Sequence, residues 1–203
     1  MSFFIIEGAN GSGKTTLLKN LERLGYETLS SPNGTPLAKM LRPACRGTEP
    51  WEDIDKNIQF MLFSASRYDE YVRLIHENSK TIIADRWWTS TYIYQCLLQG
   101  IDVGFMESTL HPEEKINLVI LLDGDDNILI NRVLEEREKN PSHGLCTWTK
   151  QEETMRNLIR LYRSSLPAYL RLKNIPCEII NTTNKTTQEV QDIAEMLIVK
   201  YGG

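Results

Sequence analysis

The sequence predicts an α/β fold, a parallel five-stranded sheet with helices on both faces. Three observations predict it. Short apolar runs alternate with amphipathic stretches along all 203 residues, the pattern of a parallel sheet covered on both sides. Three of those runs, at 3–6, 81–84 and 117–122, close on the acids Glu7, Asp85 and Asp123. A glycine-rich segment joins the first run directly to a helical pattern.

That joint organises the chain. Gly8, Ala9, Asn10, Gly11, Ser12, Gly13, Lys14 and Thr15 fit G-x-x-x-x-G-K-[ST] without a mismatch, and Thr16, Leu17 and Leu18 continue into the helix. A strand before the motif and a helix after it give the motif its meaning. Glycines at 8, 11 and 13 permit positive φ, so that successive N–H groups converge on phosphate oxygens. The helix N-terminus adds partial positive charge. Lys14 is expected to reach the β/γ-phosphates of ATP and Thr15 to hold Mg²⁺. Residues 8–16 are thus the expected ATP-binding loop, and the fold is a P-loop NTPase fold.

Along the chain, a helix from Lys14 to about Leu24 precedes a weak strand at Tyr26–Leu29. Pro36 suits the first turn of a helix reaching Arg42, and Pro43–Pro50 reads as a loop. Asp53 or a neighbour caps a long helix to about Glu77. On it Ile54, Ile58, Met61, Ala65, Tyr68, Val72 and Ile75 recur at three- and four-residue steps, which predicts a core-facing stripe. Phe63 and Arg67 fall on the opposite side. They form either a clamp for a planar ligand or a solvated arginine beside a subunit contact.

Thr81–Asp85 is the next strand, with Asp85-Arg86 at the carboxyl end, where open α/β sheets bind ligands. Trp87–Gln99 reads as one helix carrying Ser90, Thr91, Tyr94 and Gln95 on its early turns, and Val103–Leu110 as a small one. After the strand at Asn117–Leu122, a helix over Asn127–Glu138 carries Arg132 and Arg137. The stretch 139–149 lacks periodicity and reads as a short mobile lid, at about 138–152. The following helix has Met155, Leu158, Ile159, Tyr162, Leu166 and Tyr169 in register, and Pro167 is expected to kink or end it. Cys177–Ile180 and Thr187–Tyr201 supply the last strand and helix. Nothing resembles a repeat or linker, so residues 1–203 read as one domain.

Net charge is −4 and the pI near 5.5, which argues against a nucleic acid or membrane partner. The four cysteines lie far apart with no C-x-x-C, as free thiols of a reducing compartment do. The three histidines are scattered and expected at the surface. The chain enters a strand at once and has no apolar run of membrane length, so a cytoplasmic protein is expected.

A GTPase needs N-K-x-D, and Asn184-Lys185-Thr186-Thr187 lacks the aspartate. A motor needs paired acids at a strand end, which Asp123-Gly124 does not supply. Small size and scattered arginines fit a nucleotide or nucleoside kinase, which joins two anionic substrates beneath a flap.

Four segments resemble the thymidylate kinase family. The loop from Glu7 to Thr16 is similar to E-G-x-[DE]-G-x-G-K-[ST]-T, and Pro32-Asn33-Gly34-Thr35-Pro36-Leu37-Ala38 with Leu41-Arg42 to P-G-G-T-x-L-A…L-R. Leu62-Phe63-Ser64-Ala65-Ser66-Arg67 is similar to L-F-x-A-x-R, and the stretch from Asp85 to Gln95 to D-R-[YH]-x-x-S-x-x-A-Y-Q. The resemblance implies phosphorylation of dTMP by ATP with Mg²⁺, by a homodimer. It also implies roles. Phe63 would stack on thymine and Arg67 hydrogen-bond it, Arg42 and Arg86 would hold the acceptor phosphate, and Asp85 would help organise Mg²⁺. Ser90 and Thr91 would sit near the acceptor, Thr91 at the base edge, and Tyr94 would crowd the sugar 2′ position. Arg132 or Arg137 would approach the ATP phosphates or adenine, and the segment around Asn181–Thr183 would flank the adenine.

The chain departs from the family at several places. Asn10 stands where members carry an acid, Ser30-Ser31 where many carry Arg-Glu, and Trp87-Trp88 is bulky beside the acceptor. A different or modified pyrimidine deoxynucleotide is therefore an alternative acceptor. Two other readings remain at this stage: a deoxynucleoside kinase using Glu7 as the base, and a nucleotide-binding regulator without transfer.

Overall fold

The computed structural model describes residues 2–48, 50–76, 78–109, 115–139 and 151–202. Five parallel strands, β1 (Phe3–Glu7), β2 (Glu27–Ser30), β3 (Ile82–Asp85), β4 (Ile116–Asp123) and β5 (Cys177–Asn181), lie in the order β2-β3-β1-β4-β5. Strand β1 is central, and its side chains alternate as the pleat demands. Phe3 and Ile5 enter the core on one face, Phe4 and Ile6 the core on the other, and all four have 0% exposure. Burial of each contributes on the order of 2 kcal/mol.

Helices α1 (Lys14–Arg23) and α8 (Thr187–Gly202) cover the face of Phe4 and Ile6. The opposite face is covered by α3 (Lys56–Glu70), α4 (Trp88–Thr91), α5 (Val103–Thr109), α6 (Asp126–Lys139) and α7 (Glu152–Leu172). Helix α2 (Pro36–Arg46) packs on α3. The chain reverses direction across the sheet on either side of β1, so the crevice for a ligand opens at that strand's carboxyl end.

Several expectations need correction. Helix α2 does not stop at Arg42. It continues through Pro43 to Arg46, because Ala44 and Cys45 are buried, Gln59 Nε2 donates to the Cys45 carbonyl at 2.9 Å, and Gly47 closes the helix in the left-handed region. Pro167 does not end α7, whose following residues Tyr169 and Leu170 are locked into the core. The two long helical readings each contain a π-helical stretch, Tyr71–Ile75 after α3 and Tyr92–Leu98 after α4. There the His76 N–H donates to the Tyr71 carbonyl at 2.9 Å and the Gln99 N–H to the Tyr94 carbonyl at 3.2 Å, each five residues back.

The largest correction concerns the face of α3. Ile58, Met61, Tyr68 and Val72 are 51–63% exposed and Ala65 is exposed too, whereas Phe60, Ser64, Arg67 and Glu70 are buried. Of the predicted stripe, only Ile75, at the end of the π turn, reaches the core. The helix turns its polar side inward to wall the crevice, and its apolar stripe is left uncovered by the described residues. Among the described residues the thiols and histidine behave as expected: Cys45, Cys96 and Cys177 are free, and His76 is exposed. Cys146, His111 and His143 lie outside the described residues.

Candidate active site

Strand β1 ends in the glycine loop. Gly8, Gly11 and Gly13 have φ of 146°, 81° and 95°, values that side chains rarely adopt. Space constrains Gly11 as well, since a Cβ there would run into the Leu129 carbonyl of α6. Gly13 caps α1 without a side-chain hydrogen bond, so the first-turn N–H groups face the crevice unclaimed by a cap. Lys14 folds back over the loop, with Nζ donating to the Gly8 and Ala9 carbonyls at 2.7 and 2.8 Å. Burial, reinforced by the Arg86 charge, lowers its pKa to about 7.

Arg86 is the hub beside this loop. Its φ of 65° is left-handed, a strain of about 1–3 kcal/mol that surrounding contacts must hold. Nη1 donates to the Tyr162 hydroxyl at 2.5 Å and Ser90 Oγ at 3.1 Å, and Nη2 donates to Asn10 Oδ1 at 3.0 Å. Glu7 lies 3.6 Å away with 0% exposure. The Glu7 carboxylate also accepts from Thr89 Oγ1 at 2.5 Å, Ser90 Oγ at 2.8 and 2.9 Å, and the Trp87 N–H at 3.4 Å. It therefore pins the start of α4 to β1. With its oxygens so engaged it is not placed as the base a nucleoside kinase requires.

One cavity of about 190 Å³ opens next to this hub, bounded by Asn10, Pro32, Phe63 and four arginines, Arg42, Arg46, Arg67 and Arg86. None of its described lining residues is an acid. Ser90 and Tyr94 also line it, and Arg86 lies 5.3 Å from the Tyr94 ring centre. The Arg67 guanidinium sits 5.2 Å from the Phe63 ring centre, is 4% exposed, and has Nε and Nη1 without a hydrogen-bond partner. Burial lowers its pKa to about 10. Arg42 Nη1 donates to the Pro32 carbonyl at 2.9 Å. The clamp reading of Phe63 and Arg67 thus has the geometry it needs: an aromatic face, a cation and unused donors in one concave space.

A second cavity, about 220 Å³, lies on the other side of the loop against Gly11, Gly13, Thr16, Thr182 and Lys185. Arg132 forms its wall, donating to the Thr182 hydroxyl and carbonyl at 3.2 Å and to the Gly11 carbonyl at 3.4 Å. A third, about 470 Å³, runs between α1 and β2 and has Thr15 and Asp85 at one end. Asp85 Oδ1 is buried without a partner. A hydroxyl and an unused carboxylate oxygen beside a phosphate-binding loop are the hard oxygen donors that suit Mg²⁺, which takes its remaining ligands from water and phosphate. The residues fit the ion.

The structure brings together most of the predicted residues. Two stand apart: Thr91 has 0% exposure with an unpaired hydroxyl and does not line the cavity beside Arg86. Arg137, on the last turn of α6, lines none of the three cavities, and its Nε and Nη2 have no partner among the described residues. The expected lid lies almost wholly outside the described residues. Arg46, Glu70 and Tyr162 went unread as site residues. Arg46 follows Arg42 by one helical turn, a relation that holds only because α2 runs on through Pro43. Tyr162 belongs to the core stripe of α7, where its hydroxyl gives no periodic signal.

A family model described as thymidylate kinase matches residues 6–193. The chain belongs to the thymidylate kinase family. A probable thymidylate kinase of Methanococcus maripaludis is 31% identical over 194 residues, covering 94% of this chain and 91% of that one. A thymidylate kinase of Mycoplasma pneumoniae is 30% identical over 178 residues, covering 81% of each. The crystal structure of thymidylate kinase from Ehrlichia chaffeensis matches with a TM-score of 0.68 at 21% identity, over 97% of this chain and 98% of that one; at that identity it shows the P-loop fold. Membership makes the chain a nucleotide-binding phosphotransferase.

Proposed function

We propose that the chain transfers the γ-phosphoryl group of ATP to the 5′-phosphate of dTMP, giving dTDP and ADP. One observation carries the reading. A phosphate-binding loop adjoins an acid-free cavity lined by four arginines and two aromatic rings, and Asn10 and Arg86 form the shared wall. Two anions are brought face to face there.

The acceptor phosphate is itself the nucleophile, so neither a covalent intermediate nor a strong base is needed, and positioning with charge neutralisation does the catalytic work. Residues 8–16 bind the donor phosphates, with Lys14 at the β/γ end. Arg42 and Arg86 hold the acceptor phosphate, Phe63 stacks on the base, and Arg67 uses its free donors on the base edge. Tyr94 borders the sugar, with Ser90 fixing Arg86. Arg132 and Thr182 flank the adenine side. Arg137, on the last turn before the lid, supplies charge from that direction. Mg²⁺, held by Thr15 and Asp85, would neutralise charge on the phosphates.

A second copy of this chain covers the exposed stripe of Ile58, Met61, Tyr68 and Val72, making a homodimer. Free thiols at the described cysteines and the absence of any described helix long and apolar enough to cross a membrane support a cytoplasmic protein. The negative net charge supports small anionic substrates met by local arginines over a nucleic acid partner.

The test is ADP release from Mg-ATP with dTMP, dUMP, dCMP, dGMP, 5-hydroxymethyl-dUMP and thymidine as acceptors. A marked preference for dTMP is expected. Preference for another monophosphate would move the substrate, turnover of thymidine alone would overturn the reading, and silence would make the chain a regulator.

A further inference from the structure

Glu70 is a carboxylate with 0% exposure, and no ion-pair partner lies within 4.0 Å of it among the described residues. An uncompensated buried acid is costly unless hydrogen bonds satisfy it. Here three donors from one loop do so. Oε1 accepts the backbone N–H groups of Asn33 and Gly34 at 2.7 and 2.6 Å, and Oε2 accepts the Ser31 hydroxyl at 2.6 Å. These are short, charge-assisted bonds. Gly34 presses onto the same end of α3: a Cβ there would run into Leu29, come within 2.8 Å of Leu74 and within 3.2 Å of Glu70 Oε1.

The loop that Glu70 grips belongs to the cavity wall. Ser31 and Pro32 line the cavity, and the Pro32 carbonyl accepts from Arg42 Nη1 at 2.9 Å. On α3 itself, Phe63, Arg67 and Glu70 follow one another at four- and three-residue steps and so share a face. The first two line the cavity and the third grips its wall. Glu70 therefore joins the helix that carries the aromatic clamp to the loop that sets Arg42.

We infer that Glu70 is a positioning residue for the acceptor: its carboxylate fixes the Ser31–Gly34 loop against α3 and so holds Arg42 where the acceptor phosphate is bound. The inference rests on the reading of this cavity as the acceptor site. Glutamine can keep Oε1 on the two N–H groups while its amide donates to Ser31 Oγ, whose hydroxyl turns to accept. A side chain such as methionine of similar length cannot, and it leaves the Asn33 and Gly34 N–H groups without this acceptor.

The experiment is steady-state kinetics with Glu70→Gln, Glu70→Met, Ser31→Ala, Arg42→Met and the double variant Glu70→Met/Arg42→Met. Calorimetric binding of dTMP and of ADP is measured alongside. Expected for Glu70→Met is a rise of about tenfold or more in KM and Kd for dTMP, with ADP affinity within about threefold of the parent. Glu70→Gln should restore most of that loss, and Ser31→Ala should show a smaller loss of the same kind. In the Arg42→Met background Glu70→Met should add little, because both act through one group. Equal losses for both nucleotides, additive losses in the double variant, or a Glu70→Met enzyme with parental dTMP affinity would overturn the inference. If Glu70→Met fails to fold, an unaltered dTMP affinity in Ser31→Ala would overturn it in the same way. Failure of the parent chain to bind or turn over dTMP would instead overturn the function proposed above, so the two failures read differently.

Discussion

Asn10 Oδ1 and Arg86 Nη2 lie 3.0 Å apart, a hydrogen bond that ties the phosphate loop to the end of β3. Arg86 reaches Asn10 across 76 residues of sequence and stands in a left-handed conformation to do so. A neutral amide holds the guanidinium there without neutralising it. Asn10→Ala should leave Arg86 with one anchor fewer and lower kcat/KM for dTMP by about tenfold. Saturation curves in both substrates check this, and the loss in ATP should be the smaller.

Arg67 presents two behaviours in one substitution. Its guanidinium is buried with Nε and Nη1 unpaired, so Arg67→Met should raise the melting temperature by a few degrees while flattening the preference among acceptors. Differential scanning calorimetry and the acceptor panel read the two effects. An unchanged preference would remove Arg67 from base recognition.

Lys14 gives the pH dependence. Its pKa, lowered by burial and by Arg86, is about 7 in the folded chain against 10.5 for the unperturbed group. Between those values the unfolded chain binds the extra proton, so this group's contribution makes stability rise with pH across that window. Anionic phosphates favour the charged form of the amine. Binding of Mg-ADP at pH 8 should therefore take up about 0.9 proton, and almost none at pH 6. Calorimetry in buffers of different ionisation enthalpy measures the uptake, and Lys14→Met should abolish it.

The exposed stripe on α3 predicts the assembly. Tyr68→Glu places a charge in the middle of a face carrying Ile58, Met61 and Val72, and should convert a dimer to monomers in sedimentation velocity. The folded state should survive, because none of these side chains belongs to the core.

Local signals were readable and distant ones were not. The loop at 8–16 and all five strands follow from short windows, since a glycine pattern or an apolar run carries its own geometry. The orientation of α3 does not, because periodicity reports that a helix is amphipathic without saying which partner covers its apolar side. Pro43 carries a local cost inside a helix, and the packing of Ala44 and Cys45 outweighs that cost. The network of Glu7, Arg86, Ser90 and Tyr162 spans residues 72 to 83 positions apart, beyond any pattern within a single element. Glu70 gives no signal within its own helix, because the loop at 31–34 that closes on it lies 36 to 39 residues away.

The π turn at Tyr71–Ile75 makes residue counting unsafe on the downstream side of the site. One extra residue is accommodated there within a single turn. Deleting it would let the helix close at 3.6 residues per turn and swing all that follows by about 100°. Ile75, now with 0% exposure, would leave the core while every side chain from Phe63 to Glu70 stayed in place. A one-residue gap drawn here in an alignment is thus a rotation of the chain that feeds β3, and the strand bearing Asp85 would inherit it.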